Sequence, residues 1–249
     1  MTYVLSDIHG NSRRFQSILS QIDLQPEDTL YILGDIIDRF PDGGRLLRQI
    51  MKMSNVKVLL GNHELMMLDA LRPERPAEML STRNLWLWYD NGGEVTHRYL
   101  KHLRKTERAS LLEYVASLPL FFDVEVNGRK YKLVHAAPSE LFREYGVRYR
   151  SEKEFAVWMR LNSTFYNRND YTIVFGHTPT KFYQDDEPLK IWRGKRLLGI
   201  DCGSGYVDGR LACIPLEDEK EFYSEEVGNP WPLISLLQKF NHTFTGWGI

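Results

Sequence analysis

Two cysteines in 249 residues, Cys202 and Cys213, provide neither a disulfide framework nor a thiolate metal site at ligand spacing. They read as buried or half-buried thiols of a protein in a reducing cytoplasm. Charge of one sign is also lacking. The 32 Lys and Arg nearly balance the 33 Asp and Glu, for a formal net charge of −1. Nothing in that balance favours a polynucleotide or an anionic membrane, and neither is expected as a partner. No apolar run approaches the roughly 18 residues that a membrane-spanning helix needs. Met1-Thr2 leads straight into Tyr3-Val4-Leu5, so no signal peptide is expected. Repeats and low-complexity segments are absent. Hydrophobic content of 43% and charged content of 26% are ordinary, and the length suffices for one α/β domain with a well-buried core.

What is present is a recurring pattern, clearest in Thr29–Arg39, T-L-Y-I-L-G-D-I-I-D-R. Leu30–Leu33 is a short apolar run that suits a strand buried on both faces. Gly34 ends it, Asp35 follows, and Asp38-Arg39 stand one helical turn further on. A carboxylate just past a buried strand lies where open α/β sheets place their ligand sites. The pattern recurs four times. Tyr3–Leu5 runs into Ser6, Asp7 and His9. Val56–Leu60 runs into Gly61, Asn62, His63 and Glu64. Tyr131–Val134 runs into His135, and Tyr171–Phe175 into Gly176 and His177. Small residues before the polar ones let the backbone turn sharply and approach a ligand. The first three sites lie about 27 residues apart, enough for a βαβ crossover, so their polar ends converge on one rim of a parallel sheet. Asp7, His9, Asp35, Asn62, His135 and His177 form a cysteine-free donor set for borderline-to-hard divalent cations. Six groups exceed one open catalytic site and suit two ions roughly 3.5–4 Å apart, bridged by a carboxylate. The alternative is that they are ordinary turn residues and helix caps.

Between these sites, Ser12–Ile22 carries Phe15, Ile18, Leu19 and Ile22 at helical spacing, with Asn11 or Ser12 as its cap. A second helix is lined by Leu46, Leu47, Ile50 and Met51, and a third runs over Leu65–Leu71. Arg72–Ser81 reads as a surface connection. Arg83–Leu118 is expected to be mostly helical, with a turn at Asp90–Gly93 and Leu85–Tyr89 in a helical core. The whole chain, 1–249, is read as a single domain with a helical insertion at about 72–118. Leu120–Val126 and Arg129–Val134 flank Asn127-Gly128, a strong hairpin signal. Glu152–Leu161 is expected as a helix and Lys195–Ile200 as a strand. Leu211–Pro215 and Glu221–Val227 are expected to complete a second, antiparallel set of strands. The aromatic tail from Asn229 is expected to pack on the domain.

D-x-H-G (Asp7–Gly10), G-D-x-x-D-R (Gly34–Arg39), G-N-H-E (Gly61–Glu64), H-A (His135-Ala136) and G-H-T-P (Gly176–Pro179) resemble the calcineurin-like metallophosphoesterases. Within them, the chain is similar to bacterial and bacteriophage members of the phosphoprotein phosphatase family, over Tyr3 to about Gly205. Trp88 with Asn91–Gly93 is similar to a W-x-x-N-G-G segment of the bacterial members. Phe40 and Ser6 depart from the pattern, which usually has Gly at both places, and Phe40 is expected to alter the pocket rim. The resemblance implies two facing mixed sheets flanked by helices, a β-sandwich of the metallophosphoesterase type with a βαβαβ N-terminal half. It implies one metal on Asp7, His9 and Asp35, and a second on Asp35, Asn62, His135 and His177. Manganese is the ion the bacterial relatives suggest; Fe, Zn, Co and Ni suit the same donors.

The implied activity is hydrolysis of a phosphomonoester by a metal-activated water, most specifically of phosphoserine or phosphothreonine in a phosphoprotein or phosphopeptide. His63 would be the general acid, Asp38 its partner, and Arg39 a phosphate ligand. A second phosphate-binding Arg is expected among Arg143, Arg148, Arg150, Arg160 and Arg168. The W-x-R context favours Arg160. A dinucleoside polyphosphate hydrolase shares nearly all these motifs and is the first alternative. A non-catalytic metal-binding scaffold is the second.

Overall fold

The computed structural model describes residues 1–71 and 77–225, without the side chains of 77–81. The expected connection at Arg72–Ser81 lies outside the described residues over 72–76 and is corrected over 77–81, where the backbone is already helical; the aromatic tail lies wholly outside. The N-terminal half alternates strand and helix as the periodicity predicts: β1 (Thr2–Leu5), α1 (Ser12–Ile22), β2 (Thr29–Ile32), α2 (Gly43–Ile50), β3 (Val56–Val58) and α3 (Asn62–Leu71). The Asn11 side chain caps α1 by accepting from Arg14 N at 3.2 Å. Three helices follow, α4 (Ala77–Asp90), α5 (Glu94–Lys101) and α6 (Lys105–Ala116), broken at Asn91–Gly93 as expected. Leu85–Tyr89 is not all core. Trp88 is fully buried, but Trp86 is 66% exposed. Consecutive helical residues point about 100° apart, so five in a row cannot share one face.

The hairpin β4 (Phe121–Val126) and β5 (Arg129–Val134) pairs Phe121 with Val134 and Val126 with Arg129. Asn127 and Gly128 both have positive φ, as the primed two-residue turn requires. The short α7 (Phe142–Tyr145) and α8 (Glu152–Trp158) lead to β6 (Thr172–Phe175). Helix α8 stops before Arg160 because Met159 is already extended. Strands β7 (Trp192–Gly194), β8 (Leu197–Gly199), β9 (Ala212–Pro215) and β10 (Phe222–Tyr223) complete the described chain.

Two five-stranded mixed sheets result, ordered β10-β9-β1-β2-β3 and β4-β5-β6-β8-β7. The sequence pattern assigns the last strands to the second sheet. Instead, β9 runs antiparallel to β1, with Val4 opposite Ile214, and extends the first sheet. Alternation along each strand explains the layering. Leu30 and Ile32 point to the core under α1–α3, while Tyr31 and Leu33 point to the core between the sheets. Likewise Leu133 and Val174 face the first sheet, and Ile173 and Phe175 face α8. Strands β1, β2 and β3 are parallel, as are β5 and β6, so all five motif-bearing ends open at one edge of the sandwich.

Candidate active site

The backbone past these strand ends is unusual. Of the ten described non-glycine residues with positive φ, six are Asp7, His9, Asp35, Asp38, Arg39 and His177. Such conformations are costly and persist where the surroundings over-determine them. Here they are tied down. His9 N donates to Asp35 O at 2.9 Å and Gly10 N to Ile36 O at 2.7 Å. The Glu64 carboxylate, fully buried, accepts from the backbone N–H of Asp35 and Ile36 at 2.9 Å, Gly61 at 3.2 Å and Ile37 at 3.3 Å. A side chain at Gly61 would overlap Asp35, and one at Gly176 would overlap Ser6 and Asp7. Replacing Glu64 by Gln turns half of its acceptor into a donor facing N–H groups. Each orphaned donor costs about 1–3 kcal/mol. Glu64→Gln should therefore lower the melting temperature by several degrees, measured by calorimetry; an unchanged melt would show that the cradle is not structural.

All six donor residues of the motifs converge. The Asn62 Oδ1 lies 2.9 Å from both His135 Nε2 and His177 Nδ1. Asp35 sits between two groups: its Oδ2 is 3.7 Å from His9 Nε2 and 3.9 Å from His63 Nε2, and its Oδ1 is 3.6 Å from His135 Nε2. Asp7 Oδ1 is 3.8 Å from His9 Nε2. These separations are too long for hydrogen bonds and leave donor atoms facing a common space. Two sets whose atoms lie within 4.8 Å of one another emerge, His9–Asp35–His63 and Asp35–His135–His177, with Asp35 in both. His63 replaces Asp7 in the first set relative to the implied ligands. The buried His177 Nε2 has no hydrogen-bond partner among the described residues. Burial lowers the proton affinity of His9, His135 and His177, which leaves neutral imidazoles with lone pairs to give. The donor set, its orphaned nitrogen and its shared carboxylate fit a pair of divalent ions.

Beside this cluster stands a second arrangement. His63 Nδ1 lies 2.7 Å from Asp38 Oδ2, which also accepts from Trp88 Nε1 at 2.8 Å. Arg39 Nη2 is 3.3 Å from His63 Nε2. A guanidinium only donates, so Nε2 is the acceptor here and Nδ1–H points at Asp38. Burial pushes the His63 imidazolium down to about 3 and the Asp38 carboxyl up to about 7. Trp88 and Thr96, which touches Asp38 N at 3.0 Å, bring the helical segment into the site. So does Gly92, whose carbonyl accepts from Arg39 N at 3.1 Å. Of these, Trp88 and Gly92 carried a sequence signal in W-x-x-N-G-G; Thr96 carried none. Arg160 stands past α8 and donates to Thr178 Oγ1 at 3.3 Å, one residue from His177. Phe40 does not form the rim: it is 3% exposed with φ outside the left-handed region, so no glycine is needed there. Ser6, the other departure, donates its hydroxyl to Asp7 Oδ2.

Burial also pushes the Asp201 carboxyl up to about 8, with the Asp7 carboxylate adding to it. Asp38 and Asp201 thus hold their protons in the folded chain well above the pH at which the unfolded chain releases them. That excess binding stabilises the fold at low pH and is lost as pH rises through about 7 and 8. The metal-stripped protein should therefore melt lower at pH 8 than at pH 6.5. A melting temperature that rises over this interval would contradict the assignment.

The family profile described as calcineurin-like phosphoesterase matches residues 2–221. The chain belongs to that family. The family is one of phosphoesterases that use divalent metals. It is 30% identical over 183 residues to the serine/threonine-protein phosphatase 2 of Salmonella typhimurium, covering 70% of this chain and 78% of that one. It is 42% identical over 69 residues to the symmetrical bis(5'-nucleosyl)-tetraphosphatase of Erwinia tasmaniensis, covering 27% of this chain and 25% of that one. Other tetraphosphatase matches likewise span less than half of those relatives, 43% in the case of Paracidovorax citrulli. A solved structure of a candidate diadenosine tetraphosphatase shares the fold, with TM-score 0.61 and 17% identity over 89% of this chain and 91% of that one. Among the described residues, no helix of this chain is long and apolar enough to cross a membrane.

Proposed function

We propose that the protein is a phosphomonoesterase acting on phosphoserine or phosphothreonine in proteins. The observation that carries this reading is the contact of His63 with both Asp38, at 2.7 Å, and Arg39, at 3.3 Å, beside the buried donor cluster. In this reading Asp7, His9 and Asp35 would hold one divalent ion, and Asp35, Asn62, His135 and His177 a second, with manganese as the preferred ion. Such ions, when bound, would supply charge neutralisation and an acidified water. Arg39 and Arg160 orient the phosphoryl oxygens. Arg39 lowers the proton affinity of His63 while it points at Nε2. A phosphate dianion drawn onto Arg39 offsets that charge, and Nε2 can then carry the proton that the leaving alkoxide takes. Asp38 holds the ring and balances the imidazolium. Because α4 and α5 contribute Trp88 and Thr96, we read 72–118 as an insertion in one catalytic domain. The two cysteines, free and buried, suit a cytoplasmic location.

The long match to the Salmonella phosphatase supports the phosphoprotein reading. The tetraphosphatase relatives support a second, hydrolysis of a dinucleoside polyphosphate by the same residues. Metal-stripped protein, assayed with and without Mn²⁺ for phosphate release from a phosphothreonine peptide and for nucleotide products such as ADP from diadenosine tetraphosphate, separates them. Metal-dependent turnover of the peptide is expected; preference for the dinucleotide would reassign the substrate. Bound metal with no turnover of either would return the protein to a scaffold role.

A further inference from the structure

One wall of the site, beside His9 and Arg39, is built by the loop 201–210, which no motif marks. It is firmly held. Arg14, on α1, donates to the carbonyls of Ser204 at 2.7 Å, Tyr206 at 2.8 Å and Val207 at 2.8 Å. Gly205 packs against Arg39 and His9 so closely that a Cβ there would overlap both. The loop thereby presents Tyr206 beside Arg39, whose guanidinium carbon lies 5.0 Å from the ring centre. A second cation shares that ring: Lys181 Nζ lies 5.1 Å from its centre, and 5.4 Å from the ring of Phe182. Lys181 follows Gly176–Thr180, the segment that positions His177, and stands on a 3₁₀ turn pinned by Thr180 N donating to Asp201 O at 2.8 Å. Phe182 is 67% exposed. Lys181 has no ion-pair partner among the described residues.

An ammonium set over aromatic rings keeps its charge and loses part of its freedom, at a modest gain in energy. Without a carboxylate, its charge remains available to a ligand. We propose that Lys181 is a specificity-determining residue that binds a second negative charge on the substrate, next to the phosphoryl group held at Arg39. The favoured substrates are then phosphoesters with an adjoining anion, either an acidic side chain flanking a phospho-residue or a neighbouring phosphate. This rests on the phosphoesterase reading of the site but not on the choice between its two substrates. The mechanism gives Lys181 no part in proton transfer or metal binding.

The test compares wild type with Lys181→Met, which keeps most of the stem, and Lys181→Glu. The substrates are p-nitrophenyl phosphate, a phosphothreonine peptide flanked by Asp, the same peptide flanked by Ala, and diadenosine tetraphosphate. Lys181→Met should raise KM for the Asp-flanked peptide about three- to tenfold, with kcat and the p-nitrophenyl phosphate parameters unchanged. Lys181→Glu should favour the Ala-flanked peptide. An effect on the dinucleotide alone identifies a phosphate as the second anion. Equal changes on all substrates, or none, overturn the proposal while wild-type turnover of p-nitrophenyl phosphate leaves the phosphoesterase reading intact. Anisotropy binding of a phosphonate analogue of the Asp-flanked peptide reports the same contact without turnover. It should weaken with Lys181→Met and with added salt; binding indifferent to both would also overturn the assignment.

Discussion

Asp35→Asn should strip the purified protein of its metal and reduce phosphate release by a thousandfold or more, on the order of what loss of the shared ligand removes from a metal-assisted hydrolysis. Among the described residues, Asp35 is the one carboxylate whose two oxygens face both histidine groups, His9 and His63 on one side and His135 on the other. Asn keeps the size but gives one oxygen and no charge. The fold should survive. The Asp35 backbone is left-handed, a region that Asn, like Asp, tolerates better than most side-chain-bearing residues. Burial raises the proton affinity of Asp35 in the metal-free protein, so the neutral amide removes a buried charge that the His63 N–H and the nearby Arg39 only partly offset. The metal-stripped variant should thus melt at or above the metal-stripped wild type. Metal content by elemental analysis and a melt of both stripped proteins decide the matter. Retention of two ions per chain in the variant would remove Asp35 from the bridging position.

The site was legible where the pattern was local. Each of Asp7, Asp35, Asn62, His135 and His177 follows its own apolar strand, and parallel pairing of neighbours brings such ends together without further information. Elements set by distant partners were not legible. Met159 takes an extended conformation that ends α8 early, with Leu161 O accepting from Tyr183 across the chain, so Arg160 is carried off the helix. Strand β9 carries no mark of which sheet it will join; its register with β1 is a contact between residues about two hundred positions apart. Trp88 illustrates the intermediate case. Its burial follows from its size, but the hydrogen bond from its indole to Asp38 depends on how α4 lies against the strand end. Thr96 and Tyr206 reach the site only through tertiary packing, and no spacing in the sequence separates them from ordinary polar and aromatic residues.

His63→Asn should keep the metal and lose the proton. The His63 backbone N–H holds Asp35 Oδ1 at 3.0 Å whatever the side chain, and the donors of the implied ligand set remain in place. The imidazole is what Asp38 orients, and no atom of Asn can stand in for Nε2 as a proton donor to a leaving oxygen. Removal of a general acid costs about 10²–10⁴ in rate when the leaving group needs the proton. A threonine alkoxide needs it; p-nitrophenolate, stable as an anion, does not. The expected result is a kcat reduced by about that factor on the phosphothreonine peptide, a much smaller loss on p-nitrophenyl phosphate, and unchanged metal content. Asp38→Asn should share the direction at smaller size, because Trp88 still donates to the remaining oxygen while the charge that balances an imidazolium is gone. Equal losses on the two substrates would mean that His63 acts as a metal ligand, as its place within the His9–Asp35–His63 set allows. Metal content would then fall along with rate. Full activity of His63→Asn on the peptide would end the general-acid assignment.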